Sequence, residues 1–130
     1  MLRKIFNAMA TMEGWGKPGK IPTVRHNPLN LRYEGQEGAL CRKCGLRNGN
    51  HAYQHPCERG HDIAEFSADG IGTVAGYRQL CKWIQSGMSL RQMISTHAPA
   101  TENDTEGYLQ YVARTCLIDP DRALYLYIVD

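Results

Sequence analysis

Between Glu13 and Tyr33 the chain carries Gly14, Gly16, Pro18, Gly19, Pro22 and Pro28. Glycine loosens the backbone and proline removes an amide donor, so this stretch is predicted to be a loop. It divides the chain. Before it, Leu2, Ile5, Phe6, Met9 and Met12 recur at helical spacing and predict a core helix whose last turn carries Glu13. After it, Leu31-Arg32-Tyr33 opens a short strand. A carboxylic acid where an apolar helix meets a Gly-rich loop has two readings. One is an ordinary solvated charge at a helix end. The other is an acid half buried at a cleft edge, where burial disfavours the charged form, as a general acid at neutral pH needs. Trp15 reads either as partial core or as a platform for the C–H faces of sugar rings.

Arg25-His26-Asn27-Pro28-Leu29-Asn30 joins side chains that bond their own backbone to a rigid proline, the composition of a well-made turn. Leu31 and Tyr33 are expected to pair with Ile63-Ala64-Glu65-Phe66 in a small antiparallel hairpin. Residues 35–61 read as an insertion between these strands. Residues 34–62 hold three of the five cysteines and three of the five histidines. Two residues separate Cys41 from Cys44, twelve separate Cys44 from Cys57, and three separate Cys57 from His61. This C-x2-C…C-x3-H pattern is the ligand set of a closed, structural Cys3His zinc site. His51 and His55 compete for the fourth place, and Cys41, Cys44, His51 and His55 form an alternative set. Free thiols in a loop are the plain alternative, and a disulfide would leave an odd cysteine. With few apolar residues, the insertion is expected to take its order from the metal.

Ser67-Ala68-Asp69-Gly70 predicts a turn and helix cap, followed by a helix patterned by Ile71, Val74, Ala75, Tyr77, Leu80, Cys81 and Ile84 and ending near Gly87. Trp83 is as consistent with core as with a cleft. Ser89-Leu-Arg-Gln92 fits a capping box, with Leu90, Met93 and Ile94 inward and a stop before Pro99. Asp104 or Thr101 is suited to cap a helix through Tyr108, Leu109, Tyr111, Val112 and Cys116. The tail from Asp119 is a last helix or a packed extended segment.

A chain of 130 residues is sized for one domain, residues 1–130, and an apolar content of 42% excludes a disordered chain. A net charge of +2 is too weak to argue for nucleic acid but suits an anionic cell-wall polymer. No apolar run approaches the roughly 18 residues of a membrane span. The N-terminus lacks the continuous apolar core of a signal peptide. If the protein acts on cell wall, a phage particle, a holin or a secretion machine is expected to deliver it.

Four segments occur in order: M-E-G-W-G, R-H-N-P-L-N-L-R-Y, A-E-F-S-A-D-G and A-P-A-T-E-N-D-T-E-G-Y. Together they resemble a lysozyme-like family of phage and bacterial peptidoglycan-cleaving proteins. The first two are also similar to signatures of autolysin glucosaminidases. The likeness covers most of residues 5–115. It departs at His26, where the family usually has Asn, at Leu29, where it usually has Gly, and in the insertion. A Leu at a position needing φ > 0 would be strained.

The resemblance implies a mainly α, lysozyme-like fold with a small β-hairpin lip, and the cysteine and histidine spacing adds a zinc-stapled insertion at that lip. It implies Glu13 as the catalytic acid and Trp15, Asn27, Asn30, Tyr33, Glu102, Asn103 and Tyr108 as substrate contacts. The activity implied is cleavage of the β-1,4 bond between N-acetylmuramic acid and N-acetylglucosamine, by a lytic transglycosylase or muramidase route. For a second carboxylate, Glu34, Asp62, Glu65, Glu102 and Asp104 are all candidates. The rival reading is a non-catalytic zinc-stabilised virion or partner-binding module. A zinc-ribbon nucleic-acid binder is weaker still.

Overall fold

The computed structural model describes residues 1–43, 62–98 and 104–128, together with the backbone of residues 46–47. In order, the elements are α1 (Leu2–Glu13), α2 (Ile21–Val24), β1 (Leu40–Cys41), β2 (Leu46–Arg47), β3 (Ala64–Glu65), α3 (Asp69–Gln85), α4 (Leu90–His97), α5 (Thr105–Cys116) and α6 (Tyr125–Ile128). The described chain is mainly helical. It forms two units, Met1–Met12 with Arg78–Asp130, and Glu13–Tyr77. No helix among the described residues is long and apolar enough to cross a membrane.

In the first unit, α1 buries Ile5, Phe6, Ala8, Met9 and Ala10. The predicted face is kept except at its end, where Met12 is exposed. Ser89 caps α4 through the expected box. Its hydroxyl accepts from the Gln92 amide, and the Gln92 side chain accepts from the Ser89 amide. Leu90, Met93 and Ile94 turn inward, and α4 packs against α5. α5 buries Tyr108, Leu109, Val112, Ala113 and Cys116, whereas Tyr111 is exposed. Burial pushes the Cys116 thiol up, outweighing the nearby Lys4 and amino terminus, so it is a small apolar core group. The tail is latched as well as helical. Leu124 is fully buried, Ser89 and Ala123 form an antiparallel bridge, and Arg91 binds Asp121 and Glu106.

Asp104 caps α5 by accepting from the Gly107 amide at 3.0 Å. Thr101, the other predicted cap, lies outside the described residues. Losing a cap typically costs about 1 kcal/mol. Asp104→Ala is therefore expected to lower the urea midpoint, and an unchanged midpoint would remove the cap from the account.

In the second unit, the three-stranded antiparallel sheet runs β2-β1-β3, with Leu40 facing Arg47 and Glu65, and Cys41 facing Leu46 and Ala64. This corrects the expected hairpin. Residues 31–33 do reach residues 62–64, through the Arg32–Ile63 bridge and the bonds Tyr33 N to Asp62 O and Ala64 N to Leu31 O. The central strand, however, comes from the insertion. Ala39 and Cys41 are fully buried, so the front of the insertion is anchored by burial and strand pairing.

α3 also corrects its predicted face. Ile71 and Val74 are exposed, and the buried positions of its first half are Gly72, Ala75 and Gly76. The helix approaches its neighbours through small residues. Gly87, with φ +82°, follows its end as expected.

Candidate functional site

Glu13 is the last residue of α1 and is half-buried. Gly14 follows with φ +92°, a value that ends a helix and that a side chain rarely tolerates. Gly14 is itself buried, and the stem of Lys20 lies against it; a Cβ there would sit 3.3 Å from Lys20 Cγ. The loop beyond is tied back to this junction. The Lys17 amide donates to Gly14 O at 3.1 Å, and the Lys20 amide to Lys17 O at 3.3 Å. Thr23 closes the ring, its hydroxyl accepting from the Gly16 amide at 3.0 Å and donating to Gly14 O at 3.4 Å. Thr23 sits on α2, a single helical turn inside what the sequence predicts to be loop, with Pro22 early in it. Trp15 is half-buried within this ring, so it is part core and part surface.

The turn that follows is held from three directions. Asn27 is fully buried, and its side chain is committed to backbone. Nδ2 donates to Leu31 O at 2.9 Å and to Ala64 O at 2.8 Å, while Oδ1 accepts from the Leu31 amide. Arg25 Nη1 donates to Asp62 Oδ1 at 3.1 Å and to Ile63 O at 2.8 Å. His26 Nδ1 donates to Asp69 Oδ1 at 2.6 Å. An ionised carboxylate only accepts, so the pair places the proton on Nδ1.

The backbone strain in this turn falls at His26 and Asn30, with φ of 52° and 54°, and Leu29 is a fully buried core residue. The strain that Leu would have met is therefore absent. His26, which lacks glycine's freedom, is held in its unusual conformation by what packs on it. Gly72 of α3 lies against the His26 carbonyl so closely that a Cβ would overlap its oxygen and come within 2.9 Å of its carbon and 3.3 Å of Phe66 Cδ2. The Phe66 amide also donates to Arg25 O at 2.9 Å.

The predicted site residues thus separate by role. Glu13 and Trp15 share the helix-to-loop junction. Asn30 is half-buried, and its Oδ1 is a buried acceptor without a hydrogen-bond partner among the described residues. Asn27 and Tyr33 are fully buried, and Tyr108 is almost so, with its hydroxyl donating to Met9 O at 3.4 Å. These three are framework in this structure, because a side chain without exposed surface offers a molecule docking from solvent no face. Glu102 and Asn103 lie outside the described residues, as do Cys44, Cys57, His61, His51 and His55. Of the expected zinc ligands only Cys41 is described, buried in the central strand. Among the described residues, no three potential ligands come together.

Three of the candidate second carboxylates already have partners. Asp62 holds Arg25, Glu65 holds Arg42, and Asp104 caps α5. Burial pushes Asp62 up, but the Arg25 hydrogen bond, the Ile63 amide and the charges of Arg25 and Lys43 together hold it below the usual carboxylate range. A depressed carboxylate contributes stability above its unfolded value, near pH 4, and loses it as pH falls through the lower folded value. The urea midpoint of the wild type is expected to fall with acidification below about pH 4, and Asp62→Asn to flatten that slope. Equal acid slopes in the two proteins would exclude the pair as a source of pH dependence.

Thr23, Gly72 and the His26–Asp69 pair escape a reading of the sequence. Only Gly72 leaves a trace, as a glycine inside a helical pattern, which costs about 1 kcal/mol unless close packing requires it. No protein family, curated protein or solved structure matches this chain.

Proposed function

We propose that this protein is a peptidoglycan-cleaving glycosidase, phage-encoded, with Glu13 as its proton-transferring group and a lysozyme-like helical fold. The supporting observation is the Glu13 junction. A half-buried acid ends a core helix and is followed at once by a buried left-handed glycine and a loop ring-closed by Thr23. Such an acid is positioned by backbone on both sides, which general acid catalysis needs.

In the proposed reaction, Glu13 gives its proton to the glycosidic oxygen as the bond to C1 of N-acetylmuramic acid breaks and an oxocarbenium-like state develops. The C6 hydroxyl of the same sugar then attacks C1 and returns a proton to the Glu13 carboxylate, leaving an anhydro end. The commitment of Asp62, Glu65 and Asp104 to structural partners favours this single-acid route over one that needs a second carboxylate. Attack by water is the runner-up. Mass spectrometry of fragments released from purified cell wall tests the reading. Anhydro-muramyl ends support it, reducing ends select hydrolysis, and no released fragments would select the non-catalytic virion module.

The zinc site remains part of the proposal, with Cys41, Cys44, Cys57 and His61 as ligands. Cys41 starts it from a fixed strand, and C-x2-C spacing lets one turn present two thiolates. Protein purified under reducing conditions without chelator is expected to hold one zinc per chain, bound more weakly as pH falls. Elemental analysis without zinc would sink the site. Full occupancy in Cys57→Ser with loss in a His51→Ala, His55→Ala double variant would select the alternative ligands.

A further inference from the structure

Between Glu13 and Glu34 the chain contains Lys17, Lys20, Arg25 and Arg32 and no acidic residue. Arg25 is spent on Asp62 and Ile63. Lys17 and Lys20 are exposed, and neither side chain has an ion-pair or hydrogen-bond partner among the described residues. Their backbones, by contrast, are fixed relative to Glu13. Two successive turns hang from Gly14, first through the Lys17 amide and then through the Lys20 amide, and the Val24 amide donates back to Lys20 O at 2.9 Å. The Lys20 stem lies on Gly14, the neighbour of the acid. A lysine whose methylenes are seated on the protein while its ammonium stays in water keeps much of its charge available to an incoming anion.

We infer that Lys17 and Lys20 form an anion-reading element beside Glu13 that selects glycan strands carrying carboxylate-bearing peptide stems. The inference rests on the cell-wall reading above. That substrate joins a neutral sugar backbone, which the acid cleaves, to anionic stems at regular intervals. Two cations anchored next to the acid would engage a stem as the glycan reaches Glu13. Wall-bound phosphate polymers present the same charge, and the test separates the two.

Rates of fragment release are measured against substrate concentration at low salt for wild type, Lys17→Gln/Lys20→Gln and Lys17→Arg/Lys20→Arg. The substrates are intact wall, wall stripped of phosphate polymer, and glycan from which the stems have been removed enzymatically. On intact wall the Gln pair should raise the half-saturating concentration about fivefold, the effect of two exposed ion pairs, with the maximal rate little changed. The Arg pair should restore it, and added salt should erase the difference. Wild type on stem-free glycan should show the same rise. An unaltered half-saturation in the Gln pair overturns the inference while leaving the glycosidase in place. A rise on removing phosphate polymer but not stems also overturns it, because the anion read is then phosphate. Failure of wild type to release any fragment is a failure of the underlying reading, not of the lysines alone.

Discussion

Glu13→Gln is expected to melt with the wild type and to lose cell-wall cleavage by about 10²- to 10⁴-fold, the contribution of a general acid–base group. The two side chains have nearly the same shape, so α1 and the Gly14 turn have no steric reason to change. What is lost is the dissociable proton. A leaving sugar oxygen that departs unprotonated carries a full negative charge, and no other acid on this loop can relieve it, since residues 14–33 contain none. Fragment release at the wild-type rate by a folded Glu13→Gln protein would remove Glu13 from the mechanism. Loss of release together with a lower melting temperature would assign Glu13 a structural role instead.

The second large effect is on folding. Gly72→Ala places a methyl group on the His26 carbonyl, which is backbone and cannot rotate aside. Overpacking of this kind costs about 3 kcal/mol, and the better helix propensity of alanine returns about 1 kcal/mol, leaving a net loss of about 2 kcal/mol. The shift would also fall on a residue already in a left-handed conformation and on its bond to Asp69. Gly70→Ala, in the same helix and with open space around the new methyl, is the control. It should raise stability by several tenths of a kcal/mol. The pair therefore has opposite signs, which helix propensity alone cannot produce. A Gly72→Ala protein as stable as Gly70→Ala would show that α3 does not need its close approach to the turn.

Local rules made much of this chain legible. α1 follows from apolar spacing and ends where Gly14 begins, and the caps at Ser89 and Asp104 follow from side chains that bond backbone a turn away. The contact between residues 31–33 and 62–64 was readable because alternating short runs flank the insertion. The setting of Glu13, the last turn of a helix before glycine, was readable because it is a property of neighbouring residues. Tyr33, Tyr108 and Asn27 show the limit of such reasoning. A polar or aromatic side chain in a motif has the same letter whether it faces a ligand or fills a core.

Tertiary structure alone decided the rest. Which strand occupies the centre of a three-stranded sheet depends on pairing over long separations, and Leu40–Cys41 has no local signal that outcompetes Leu31–Tyr33. Thr23 became the clasp of the Glu13 loop because a single turn of helix carries its hydroxyl back to Gly14 and Gly16. Ile71 and Val74 match the helical period as well as Ala75 does, yet the first half of α3 buries Gly72, Ala75 and Gly76 instead. Gly72 lets the helix backbone come up against the His26 carbonyl, and only the packed chain places that carbonyl against that helix.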